Sequence, residues 1–182
     1  PMVLTGRLIK LKDPEAKVVF IGPCAAKKLE ASRKSVRSDI DFVLTFEEMM
    51  GVFEAKNIDL EAMEEDKVVS EAIRDGRNFA NAGGVAEDVV NCIKKMYPDQ
   101  EIKVESAQGL RECKKLMTLA KAGKYNGYLL EGMACPGGCV AGAGTLQAIN
   151  KSTMAVKQYA TSADYQYCCD TDYLKDLEEL GK

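Results

Sequence analysis

The chain has 182 residues, 46% hydrophobic and 29% charged, with a net charge of −3 at pH 7. That balance suits a globular domain with a real core and offers no global attraction to nucleic acid or anionic membrane. Histidine is absent, which excludes a His-dependent triad, an HExxH zinc site and an imidazole proton shuttle. No apolar run approaches the ~20 residues of a membrane span, and the first residues lack the basic start and apolar run of a secretory signal. Pro1 standing before Met2 reads as a piece of a longer protein.

Strand and helix signals alternate along the chain. Residues 17–22 (KVVFIG) form a short β-branched run, expected as a buried strand. Pro23 and Cys24 then open a helix to about residue 32. A second strand is expected over 42–45, followed by a helix over 46–56 with Met49, Met50 and Phe53 inward. The acidic stretch 59–66 reads as a solvated loop or exposed helix face. Gly83 and Gly84 precede an amphipathic helix with Val85, Val89, Cys92, Ile93 and Met96 on one face, stopped by Pro98. A third strand is expected over 101–105. A helix over 109–122 should bury Leu110, Cys113, Leu116 and Met117. Residues 125–133 lead into a fourth strand expected to end directly at Cys135, and helices near 152–159 and 171–180 complete the pattern. Strands separated by helices of this length imply an α/β fold, a three-layer α/β/α arrangement with a mainly parallel sheet.

Seven cysteines carry the chemistry. Such a number in a chain of this length points to thiolate chemistry or buried thiols in a reducing cytosol rather than to a disulfide-stapled secreted domain. The densest signal is Cys135-Pro136-Gly137-Gly138-Cys139. Two thiolates four residues apart converge on one metal or cluster if the chain between them curls, and glycines permit that curl. Their N–H groups could then donate to cluster sulfur. Cys24 follows a strand and precedes a helix, where open α/β sheets bind ligands. The helix N-terminus and the Lys27 ammonium both favour a thiolate there. Cys92 and Cys113 fall on apolar helix faces and read as inert core thiols. Cys168 and Cys169, in a tyrosine-rich stretch, read as structural. The cluster Lys27, Lys28, Arg33, Lys34 and Arg37 reads as a solvated face. The Gly83–Gly84 pair before a helix is a potential anion holder, although such a pair alone is usually just a turn.

The run Gly22 to Glu30 (GPCAAKKLE) resembles the second signature of the iron-only (diiron) hydrogenases, Pro-Cys-x-x-Lys-x-x-Glu. The run Glu131 to Cys139 (EGMACPGGC) resembles the third, Glu-x-Met-x-Cys-x-x-x-Cys. Residues 41–45 (DFVLT), Ala82-Gly83-Gly84-Val85 and Gln108-Gly109-Leu110 extend the resemblance over nearly the whole chain. It implies that residues 1–182 are the C-terminal part of the family's catalytic domain. There a 4Fe–4S cubane, held by four cysteines, is joined through one of them to a diiron unit with carbonyl, cyanide and a dithiolate bridge. This H-cluster interconverts protons and dihydrogen. By resemblance Cys24, Cys135 and Cys139 are cubane ligands, with Cys139 shared with the diiron unit. Lys27 would hydrogen-bond an iron-bound cyanide, and Met133 would wall the diiron unit.

The family's first signature, a Thr-Ser-Cys-Cys-Pro-like run supplying the fourth ligand and a proton-relay cysteine, has no counterpart here. Only 23 residues precede Cys24 and none is cysteine. The chain is therefore expected to hold no intact cluster alone, and to act only in a longer parent. The partners implied are the upstream half of the domain with its ferredoxin-like clusters, ferredoxin or a similar carrier, and cluster maturation proteins, all in the cytoplasm. Gly22 where methionine is familiar, Ala143 for glycine, and Thr145-Leu146 for Gln-Pro resemble the sensory branch of the family. Two rivals remain: a non-catalytic iron–sulfur scaffold of the same family, and a zinc site of Cys24, Cys135 and Cys139 with Cys168 or Cys169.

Overall fold

In the computed structural model, which describes residues 1–33, 39–64 and 72–171, the strands pair in parallel, as the α/β reading requires. They form two two-stranded sheets, one in each of two units of the chain. The described part of the first unit comes from residues 1–33, 39–64 and Gly142–Leu146. Here β1 (Val19–Gly22) lies beside β2 (Phe42–Thr45), with Val19 opposite Phe42 and Gly22 opposite Thr45. Parallel pairing demands a crossover rather than a hairpin, and α2 (Ala26–Ser32) lies within it. The run expected as a fully buried strand is open on one side: Val19 and Ile21 are exposed, and Phe42 on β2 is 62% exposed. β-Branched residues signal a strand but not which of its faces finds a cover.

An N-terminal helix, α1 (Met2–Lys12), precedes these strands and was not expected. Its Met2 packs with Val18 and Ile40 to form the buried centre, flanked by Val3, Phe20, Ala31 and Val43. Asp41 fastens the helix to the strands. Its carboxylate accepts the Val18 N–H at 2.8 Å and pairs with the Lys10 ammonium at 2.9 Å. The Lys10 contact, reinforced by the Val18 N–H, holds the Asp41 carboxyl below its ordinary pKa.

The helix α3 (Phe46–Ala55) begins on Thr45 with a capping box. The Thr45 hydroxyl accepts the Glu48 N–H at 3.2 Å, and the Glu48 carboxylate accepts the Thr45 N–H at 2.8 Å. Met49 and Phe53 are half-buried as expected, whereas Met50 is exposed. Gly144 closes on the same corner: its N–H donates to the Pro23 carbonyl at 3.0 Å. A Cβ there would lie 2.5 Å from that of Thr45. Thr45→Ala should lower stability by about 1 kcal/mol, the usual worth of an N-cap hydroxyl, with Thr45→Ser retaining most of it. Urea unfolding of both variants checks this; equal losses would assign the effect to the missing methyl instead.

The second unit is described over residues 72–141 and 147–171. Strands β3 (Lys103–Gln108) and β4 (Tyr128–Met133) pair in parallel across α6 (Leu110–Lys121). Pairing with β4 carries β3 to Gln108, beyond the expected end at 105, because Gln108 lies opposite Met133. On α6 Leu116 is buried and Cys113 half-buried, but Leu110 and Met117 stand 75% and 71% exposed, contrary to expectation. On α5 (Gly84–Met96) the buried residues are Gly84, Ala86 and Asp88, while Met96 is exposed. Periodicity counts bulky apolar side chains and overlooks a face of small residues that packs closely.

The short helix α4 (Arg74–Arg77) places Asp75 in the interior, held by Arg74 at 2.8 Å and by the Asn91 amide at 2.7 Å. The Arg77 guanidinium lies 4.1 Å over the Tyr159 ring and donates to the Tyr159 carbonyl at 3.0 Å. Those contacts anchor α7 (Ile149–Thr161), longer than the expected 152–159. Of the acidic stretch 59–66, the described residues include an exposed 3-10 turn, Leu60–Ala62; 65 and 66 lie outside them. Lys34, Arg37 and the helix expected over 171–180, apart from Thr171, also lie outside the described residues. No helix among the described residues is long and apolar enough to cross a membrane.

Candidate functional site

Cys135 follows the end of β4 by two residues, and the chain then curls as the glycines allow. Gly137 and Gly138 adopt φ of +98° and +97°, a region L side chains rarely enter. The Gly138 N–H donates back to the Cys135 carbonyl at 3.0 Å, and Cys139 opens a 3-10 turn, Cys139–Ala141. The outer side of the curl is pinned by the Gln108 side chain, which accepts the Gly137 N–H at 2.8 Å. Its inner side meets residues 80–82, where the Ala82 N–H donates to the Gly137 carbonyl at 3.1 Å. Both thiols are half-buried. One expectation changes: the Gly137 and Gly138 N–H groups bond Gln108 and Cys135, so in this geometry they are not offered to a cluster.

Glu131, on β4, supports the next layer and was not singled out as a working residue. Its buried carboxylate accepts the N–H groups of Gly83 at 2.8 Å and Ala86 at 3.0 Å. Gly83 caps α5 without a side chain of its own, so β4 supplies the missing acceptor to the positive end of the helix. The potential anion holder at Gly83–Gly84 is thus filled from within the chain. The Glu-x-Met-x-Cys order held the signal, since a carboxylate two residues before Met133 on a short strand must find a partner when buried.

Cys24, in the first unit, lies half-buried in the turn between β1 and α2, and its carbonyl accepts the Lys27 N–H at 3.2 Å. The Lys27 ammonium is partly buried and pairs with the Glu30 carboxylate one turn along α2. Lys28 reaches Glu48 on α3. Glu30 therefore fixes the direction of the Lys27 side chain, a role that the bare motif does not announce. Met133 ends β4 half-buried, with its carbonyl accepting the Gly109 N–H at 2.8 Å.

None of the seven cysteines is in a disulfide. Cys113 behaves as a packing thiol, its Sγ 3.6 Å from the carbonyls of both Ala107 and Met133. Cys92 does not: its Sγ lies 2.8 Å from that of Cys168. Burial, then the Cys168 thiol, push the Cys92 pKa up to about 12.

Parallel β–α units with Cys24 and Cys135 just beyond the ends of β1 and β4 define an α/β protein. The match to known proteins is specific: over residues 1–143 the chain fits the family described as iron only hydrogenase large subunit, C-terminal domain, and it belongs to that family. The periplasmic Fe hydrogenase large subunit of Nitratidesulfovibrio vulgaris is 27% identical, over 80% of this chain and 44% of its own. Iron hydrogenase 1 of Clostridium pasteurianum is 28% identical, over 69% of this chain and 28% of its own. A cytosolic Fe-S cluster assembly factor of Kluyveromyces lactis is 29% identical, over 56% of this chain and 24% of its own. The chain thus spans less than half the length of these curated relatives. An apo FeFe-hydrogenase variant from Chlamydomonas reinhardtii shares the fold at a TM-score of 0.66 and 19% identity, over 98% of this chain and 63% of that one.

Proposed function

We propose that this chain is the C-terminal part of the catalytic domain of a cytoplasmic iron-only hydrogenase, and that it contributes Cys24, Cys135 and Cys139 to the H-cluster of its longer parent. The observation carrying the reading is the Cys135–Cys139 curl. It holds two half-buried thiols on a pinned turn, in the order that the family's third signature prescribes. Soft thiolate donors suit an iron–sulfur centre, so the residues present fit the group, one ligand short of the four a cubane needs. When bound, that group supplies the redox chemistry that interconverts dihydrogen with protons and electrons. Lys27, aimed by Glu30, offers an ammonium to a small anionic ligand. Met133 offers a soft apolar wall. In the longer parent, upstream ferredoxin-like clusters or a ferredoxin-type carrier would take up the electrons that the group supplies.

The assembly-factor relative favours one second reading, a scaffold that holds iron–sulfur clusters without hydrogen chemistry. Variants of the matured, full-length parent separate the two. Cys24→Ala, Cys135→Ala and Cys139→Ala should each lose the cubane signal and hydrogen turnover. Lys27→Ala should keep the cubane and lose at least about 90% of turnover, within the range expected when a preorganised charged contact is removed. Hydrogen turnover in Lys27→Ala equal to the parent's overturns the role of Lys27. A parent that binds clusters yet shows no turnover supports the scaffold.

A further inference from the structure

A second group of ligand-type side chains lies in the second unit and uses none of Cys24, Cys135 and Cys139. A carboxylate oxygen of Asp88 and the Sγ atoms of Cys92 and Cys168 all lie within 4.8 Å of one another. We propose that Asp88, Cys92 and Cys168 form a binding site for a thiolate-preferring divalent cation of the zinc class.

Three observations converge on it. The two sulfurs are 2.8 Å apart, well inside ordinary non-bonded contact. That separation lies between the ~2.05 Å of a disulfide and the roughly 3.8 Å between two thiolates on one tetrahedral zinc, given Zn–S near 2.3 Å. By itself it suits either outcome. Asp88 separates them. The residue is 9% exposed and its Oδ1 has no hydrogen-bond partner among the described residues, although buried carboxylate oxygens are normally satisfied. A disulfide would offer the Asp88 carboxylate nothing, whereas a cation beside the sulfurs gives that carboxylate a ligand bond.

Charge points the same way. Burial, then the nearby Asp75 carboxylate, push the Asp88 carboxyl upward. Asp75 is already held by Arg74 and Asn91 and offers Asp88 only repulsion. Lys95, one turn along α5 from Cys92, is engaged by Asp170 and lies beside Cys169. A divalent cation would displace the two thiol protons and relieve the acidic crowding. Water or Cys169 would fill the fourth position.

The secondary structure explains why these groups meet. Asp88 and Cys92 are one turn apart on α5, so they share a face. The 3-10 turn Cys168–Asp170, anchored by the pairing of Lys95 with Asp170, brings Cys168 to that face.

The test uses the full chain with Cys24, Cys135 and Cys139 replaced by alanine, reduced and free of oxygen, titrated with cobalt(II) and then zinc. One equivalent of cobalt should bind with thiolate-to-metal charge-transfer absorption and be displaced by zinc. Adding Cys92→Ser or Cys168→Ser should abolish that absorption. Asp88→Asn should weaken binding at least about tenfold, the lower end of what losing even an outer-shell partner costs. Alkylation of the otherwise unaltered chain gives a readout that survives a misfolded variant. Zinc should protect Cys92 and Cys168 from iodoacetamide and leave Cys113 unchanged. No charge-transfer band in the starting chain, or no zinc protection of Cys92 and Cys168, overturns the site. So does a Cys92–Cys168 disulfide, on mild peroxide treatment, in a chain that takes up no cobalt when reduced.

Discussion

Glu131→Ala is expected to destabilise the chain by about 3–5 kcal/mol, a large part of the ~5–15 kcal/mol available to a domain. The carboxylate is 8% exposed and bonds the Gly83 and Ala86 N–H groups. Bonds to a charged acceptor contribute about 1.5–3 kcal/mol each. Its loss also uncovers two donors at the start of α5, and the Gly83 cap has no side chain to replace it. Glu131→Gln keeps the shape and one acceptor but turns an NH2 toward the remaining donor, so about half the loss is expected. Urea titrations of both variants, followed by far-ultraviolet circular dichroism, measure this. If Gln were as damaging as Ala, shape rather than charge would be irrelevant to the cap. If Ala cost less than 1 kcal/mol, α5 would have another acceptor.

Gly138→Ala should cost about 3–5 kcal/mol for a different reason, the sum of overpacking and backbone strain. An added Cβ would lie 2.5 Å from the Ala82 nitrogen, 2.6 Å from the Ala80 oxygen and 2.7 Å from the Asn81 carbonyl carbon. All three are backbone atoms and cannot rotate aside. Gly137→Ala is the control. It has the same sign of φ, but the new Cβ would meet the Ile149 and Ala141 side chains at 3.2 and 3.7 Å. It should therefore suffer the strain without most of the overpacking. Equal unfolding midpoints for the two variants would show that the close approach to residues 80–82 is not what limits this position. In the matured parent, Gly138→Ala should also lower cluster content, since the Cys135–Cys139 spacing depends on the same turn.

The strand positions were legible because β-branched runs bounded by turn residues admit few alternatives. The Cys135–Cys139 curl was legible because two glycines between two cysteines leave little else for the chain to do. What escaped was interaction at long sequence range. Nothing in the local pattern says that Glu131 caps a helix 45 residues earlier. Nor does it say that Cys92 meets a sulfur 76 residues later. The exposed side chains of Leu110 and Met117 show the converse limit, since a helical stripe predicts a face but not its cover. α1 was missed because Val3, Thr5 and Gly6 weaken its helical propensity. Its support comes from Asp41 and Ile40 across the strands.

The bond from Gly144 to Pro23 bears on the order in which the protein can be made. A ribosome releases β1, α2, β2 and α3 long before residue 144 emerges, and domains tend to fold as they appear. The corner at Thr45 and Pro23, however, is completed by Gly142–Leu146, which is synthesised after β3 and β4. The first unit thus waits, incomplete, while the second is translated. The Thr45–Pro23 corner is then the last of these contacts to close, after both strands of the second sheet have been made.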